Sequence, residues 1–157
     1  MPPTPRAALA SLALFAAGSP AATAPASAAA ATAVLQQGYI GAWDRADPTA
    51  IAAFFAPDGD FTNPTGFHAT GRAAIAAFYA QAFAAGYAGS HGGFKPLRAR
   101  YVAPEVIVID GEWSIRDAHT PQGAARPGEQ GLATAILVRK AGAWRIAALR
   151  EQEPPTP

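Results

Sequence analysis

The chain has 157 residues, half of them apolar, with 12 Lys plus Arg against 11 Asp plus Glu and no Cys. That length builds one domain with an ordinary hydrophobic core, and hardly two. The near-neutral balance offers no basic field for phosphates, so nucleic acid is not an expected partner. Disulfides, thiol nucleophiles and thiolate metal sites are excluded outright.

Residues 1–28 stand apart in composition. Arg6 precedes the apolar run AALASLALFAAG, and SPAATAPASA follows, ending in the small residues Ala26-Ser27-Ala28. This order reads as a secretory signal peptide cleaved between about Ala24 and Ala28, giving a periplasmic or secreted protein with no membrane span after cleavage. An Ala/Pro-rich leader or an uncleaved anchor is the alternative. Residues 29–153 then form the domain and 154–157 a tail.

Within the domain, Leu35, Tyr39 and Trp43 recur every four residues over Ala31 to Ala46, the buried stripe of an amphipathic helix. Asp47-Pro48 restarts the chain as an N-cap with proline at the first helical position, and Ile51, Phe54 and Phe55 supply the second helix's apolar face. Pro57-Asp58-Gly59 breaks it. Asp60 to Asn63 reads as a short strand stopped by Pro64-Thr65-Gly66. Thr70 is the expected N-cap of a third helix carrying Ile75, Phe78, Tyr79, Ala82 and Phe83 on one face.

After the glycine-rich stretch Gly86 to Gly93 the period becomes two. Strands are expected over Phe94 to Ala103, Glu105 to Arg116, Leu132 to Lys140 and Ala143 to Gln152. The last two meet at Ala141-Gly142, and Ala118 to Gln130 forms a long loop. At Asp110-Gly111 a hairpin turn or one bulged strand both fit, and the bulged strand is preferred. Helices followed by an antiparallel meander is an α+β order, with the helices packed in the concave face of a curved antiparallel sheet around a pocket.

The stretches AWDRADPTAIAAFFAPDGDFTNPTG, GRAAIAAFYAQ and AGAWRIAAL resemble the nuclear-transport-factor-two-like superfamily, whose members fold as an α+β cone. Within it the chain looks most like SnoaL-like proteins and their uncharacterised SgcJ/EcaC-type relatives. The resemblance implies a hydrophobic pocket for a small apolar molecule, no cofactor, and a homodimer through the outer sheet face. It does not imply one reaction, because the superfamily holds both enzymes and binders. A nicotinamide-dependent activity would need a fold this chain is too short to make.

Compared with ketosteroid isomerases of that superfamily, Tyr39 matches the tyrosine that polarises a carbonyl and Tyr79 the one that supports it. Phe55 replaces a third tyrosine. Asn63 before Pro64 stands where the general base, an Asp, belongs, and an amide cannot take a proton at neutral pH. The acidic donor of a later strand falls near Thr134. Ketosteroid isomerisation is therefore not expected.

Each candidate has a structural alternative. Tyr39 is a catalytic donor or a satisfied core tyrosine, and Asn63 a pocket residue on the face of Phe61 or a turn residue. Glu151 shares a face with Ala147 and Leu149, and is either a buried base or an exposed acid. His68, His91 and His119 fall in expected loops without metal-pair spacing, so no metal is expected. His91, at the expected pocket mouth, is the one with a candidate catalytic role. Trp43, Trp113 and Trp144 are core or interface residues, and Trp43, Phe61, Phe78 and Trp113 would line or fill the cone. Glu112 and Arg116, on the strand after Asp110, could form a same-face ion pair, and a surface pair is the ordinary reading.

Overall fold

A computed structural model describes residues 24–154. The expected leader, 1–28, lies outside the described residues except for its last five positions, and the expected tail likewise except for Pro154. The described residues open with helix α1 (Ala24–Ala33), which runs without a break in helical backbone through a π-helical stretch, Val34–Tyr39, into α2 (Ile40–Asp44). Side chains four apart drift about 40° per step around a pure α-helix, and a wider turn takes up that drift. Leu35, Tyr39 and Trp43 are accordingly all buried.

Helix α3 (Pro48–Ala53) starts as expected: Asp47 accepts a 2.8 Å hydrogen bond from the Ala50 N–H, with Pro48 behind it. It ends earlier than the sequence suggests. Strand β1 (Phe55–Thr62) begins at Phe55, which is fully buried as a strand residue, not part of a helical face. Pro57-Asp58-Gly59 forms an irregularity within β1, where the six residues from Phe55 to Asp60 span only Ile146 to Ala148 on the neighbouring strand. A Cβ on Gly59 would sit 2.7 Å from the Ile146 carbonyl, so the close approach requires glycine.

Strand β2 (His68–Thr70) pairs with β1 and takes in both His68 and Thr70. The residue before helix α4 (Arg72–Ala82) is Gly71, at φ +80°, and Thr70 therefore does not cap it. A second π-helical stretch, Phe83–Tyr87, follows, and then β3 (His91–Ala103), β4 (Val106–Arg116), β5 (Glu129–Lys140) and β6 (Ala143–Gln152). His91 is the first residue of a strand, leaving His119 as the loop histidine. At the β5–β6 hairpin Ala141 and Gly142 both have positive φ, 49° and 78°, which matches the twist of the flanking strands.

The six strands form one sheet in the order β2-β1-β6-β5-β4-β3, antiparallel except for the parallel β1–β6 pair. The helices close its inner face, giving the expected α+β cone. β4 is one strand through Asp110-Gly111, and its pairing with β5 is unbroken. The bulge lies opposite, at Leu97 of β3, between the pairs Pro96–Gly111 and Arg98–Asp110. Asp110 and Glu112 find their cations across the strand, Arg98 at 2.9 Å and Lys95 at 3.0 Å, rather than in Arg116.

Candidate functional site

Between the helices and the inner sheet face lies a cavity of about 650 Å³. Tyr39, Trp43, Phe61, Asn63, Phe78, Tyr79, Trp113, Leu149 and Glu151, all expected at the site, line it. The aromatic residues pack against one another without filling the cone: Tyr79 meets Trp43 at 6.0 Å and Phe61 at 5.5 Å between ring centroids.

Tyr39 and Tyr79 project from the first helix and α4, and their hydroxyls are 2.5 Å apart. Burial is the main reason both phenols are held well above their ordinary pKa, and the nearby Glu151 charge pushes the same way. The bond between them favours an ionised Tyr39 and disfavours an ionised Tyr79. Either hydroxyl can donate in this bond; when Tyr79 donates, the Tyr39 proton is free to turn to the cavity. Phe55 packs edge-on against the Tyr39 ring at 6.4 Å, so the hydroxyl chain stops at two members.

Asn63 is both a turn residue and a pocket residue. Its Oδ1 accepts from Thr65 Oγ1 at 2.9 Å and from the Phe67 N–H at 2.8 Å. Its amide N–H groups have no partner among the described residues, and Asn63 lines the cavity as a donor.

Glu151 is a carboxyl that lines the pocket beside the two tyrosines. A bulge at Ala147 puts it there: Leu137 pairs with Ile146, but Ile136 pairs with Ala148. Trp144 and Ile146 face inward before the bulge, and Leu149 and Glu151 after it, so the inward positions change from even to odd. Ala147 itself is the extra residue rather than a regular member of that face. The cross-strand neighbour of Glu151 is Ala133, whose methyl leaves room for a carboxyl. Among the described residues no hydrogen bond or ion pair reaches that carboxyl, and burial raises its pKa to about 8.

Two expected site residues lie elsewhere. Thr134 is on the outer face of β5, where its hydroxyl donates to Asp110 Oδ1 at 2.9 Å; the inward residue is Ala133. Adjacent strand residues point to opposite faces, so a one-residue offset in matching removes a side chain from the site. His91 is also outside the cavity lining, with an exposed ring 3.9 Å from Asp44 Oδ1.

Other pocket residues escaped the sequence reading. Tyr87, from the second π-helical stretch, donates to Glu129 Oε1 at 2.7 Å, with the Arg126 guanidinium stacked 4.8 Å over its ring. Gly131 lets Trp113 lie close, since a Cβ there would sit 2.7 Å from the indole nitrogen. That nitrogen donates to the Leu132 carbonyl at 3.1 Å. The glycines within the β strands were the available signal, for they mark close backbone approach. No group of three or more His, Asp or Glu placed to hold a metal ion occurs among the described residues.

Comparison with known proteins agrees with this architecture. An uncharacterised Caulobacter vibrioides protein with a cystatin-like fold is 24% identical, over 81% of this chain and 89% of that one, with a TM-score of 0.70. A ketosteroid isomerase-like protein from Erwinia carotovora atroseptica is 17% identical over 82% and 97%, also at 0.70. A nuclear transport factor 2-like superfamily protein from Salmonella enterica is 20% identical over 82% and 94%, at 0.68. No curated protein matches. At these identities the likeness is one of fold. The SnoaL-like domain matches residues 37–145, more than half of the chain, and the protein belongs to the SnoaL-like family, with a nuclear-transport-factor-two-like cone fold.

Proposed function

We propose that the protein binds a small, mostly apolar organic molecule in the cone and exchanges a proton with it through Glu151, without a cofactor. The observation that carries this reading is the Glu151 carboxyl, unpartnered among the described residues and facing an aromatic cavity beside the Tyr39–Tyr79 pair. With a pKa near 8 the group is a proton donor at neutral pH and an acceptor just above it, the range in which acid/base transfer is efficient. Tyr39 and the Asn63 amide would orient the ligand by donating hydrogen bonds, and Tyr79 would hold the Tyr39 hydroxyl in place. Asn63 cannot act as the base, so the proton-transfer role moves from β1 to β6.

A thermal-shift screen of small apolar compounds tests the reading. Hits should lose affinity in Tyr39→Phe, while Glu151→Gln should keep binding uncharged hits and lose any turnover. Absence of hits, or turnover that survives Glu151→Gln, would count against it.

Assembly and export extend the proposal. Exposed Leu132 and Ile136 on the outer face of β5, with Leu97 at the β3 bulge, support pairing of two copies through that face, which light scattering of the purified protein would detect. The leader pattern supports a periplasmic or secreted protein, and N-terminal sequencing of the mature chain would locate the cut between Ala24 and Ala28.

A further inference from the structure

The charges around the cavity are one-sided. Glu129, Glu151 and Glu153 line it, and no Lys, Arg or His among the described residues does. The other groups facing Glu151 are the Tyr39 and Tyr79 hydroxyls from the helices and, from β5, the Ala133 methyl. Its strand neighbour Arg150 points the other way and pairs with Asp60. Arg126 lies over the Tyr87 ring and is not part of the lining. A buried carboxyl without a cation is costly to ionise, and a ligand that brings the cation removes that cost. Aromatic walls add attraction for a positive charge through their ring quadrupoles.

We infer that the ligand is a hydrophobic amine, its apolar body held among Trp43, Phe61, Phe78 and Trp113 and its nitrogen paired with Glu151. This rests on the pocket reading above and specifies the ligand's class. A free amine takes the proton directly: the Glu151 O–H bond breaks, an N–H bond forms, and a carboxylate–ammonium pair remains. An amine that arrives as ammonium makes the same pair, and the Glu151 proton leaves to solvent. An organic carboxylate of the same shape meets three acids and no counter-charge.

The test compares 4-phenylbutylamine, 4-phenylbutan-1-ol and 4-phenylbutanoate by titration calorimetry. At pH 8 the amine is expected to bind at least about tenfold tighter than the alcohol, a difference of about 1.4 kcal/mol. The carboxylate should be the weakest. Amine affinity should fall as pH drops below 8 and alcohol affinity should not. Titration at pH 7 in buffers of different ionisation enthalpy should show the release of nearly one proton per amine bound, a reading that needs no variant. Glu151→Gln should abolish both the amine preference and the proton release while retaining the alcohol. Alcohol binding without an amine preference, or a preference that survives Glu151→Gln, overturns the inference and leaves the pocket reading standing. If none of the three binds, both fall.

Discussion

The hydroxyl of Tyr39 lies 2.5 Å from that of Tyr79, so two residues 40 apart in sequence share one buried hydrogen bond in the wall of the cavity. Each oxygen has the other as its protein partner, and removing one leaves the second buried and unsatisfied. Tyr39→Phe and Tyr79→Phe should each cost about 1–3 kcal/mol, whereas the double variant should cost clearly less than the sum. Urea denaturation of the four proteins measures this. Strict additivity would show that the two hydroxyls are not coupled.

Glu151 sets a pH dependence of stability whose direction is unusual for an acid. Its folded pKa, about 8, lies above its ordinary value of 4.5, so between these values the folded state holds a proton that the unfolded state has released. The stabilisation is full below pH 4.5 and is lost as pH rises toward 8. Allowing for solvent that the open pocket admits to this half-buried residue, the loss is on the order of 3 kcal/mol. Glu151→Gln should be more stable than the parent at pH 8 and should flatten the profile, as denaturation series at pH 5, 6.5 and 8 would show.

Gly86 holds the long loop against the helical layer. It sits at φ +111°, and a Cβ would lie 1.8 Å from the His119 carbonyl oxygen, while the His119 N–H donates to the Gly86 carbonyl at 3.0 Å. Gly86→Ala combines backbone strain with a clash against main chain, and should destabilise by about 2–4 kcal/mol. Hydrogen exchange should show the loss of protection concentrated at His119 and its neighbours. An unchanged melting temperature would contradict the close packing at this contact.

Substitutions at Thr134 and His91 should leave ligand affinity unchanged, because neither side chain lines the cavity. Thr134→Val removes one of the two hydrogen-bonding partners that hold Asp110 below the usual carboxylate range, the larger being Arg98. The Asp110 pKa should rise, with a stability change within about 1 kcal/mol. A panel hit that binds the parent should bind Thr134→Val and His91→Ala equally well, and a several-fold loss in either would return that residue to the site.

The features legible in the sequence are those decided by neighbours along the chain. Asp47 caps and Pro48 starts a helix because a side-chain oxygen and a fixed φ act within one turn. Ala141-Gly142 makes the β5–β6 turn for similarly local reasons, and the stripe Leu35, Tyr39, Trp43 shows its burial by spacing alone. Most of the aromatic lining followed from such patterns. Thr70 and Phe55 show the limit: pairing of β2 with β1, and of β1 with β6, drew both into strands although helix signals surrounded them.

Which residues face the cavity was decided by the tertiary structure. A strand turns alternate side chains to opposite faces, so one extra residue or a one-place offset reverses every assignment beyond it. The bulge at Ala147, visible only in the pairing of β6 with β5, brings Glu151 inward and turns Arg150 toward Asp60. The same alternation sends Thr134 outward and gives its place to Ala133. The sequence by itself determined that the cone has aromatic walls, a tyrosine pair and no base at Asn63. Only the three-dimensional surroundings of Glu151 raise its pKa, because desolvation belongs to what encloses a group and not to the residue that carries it.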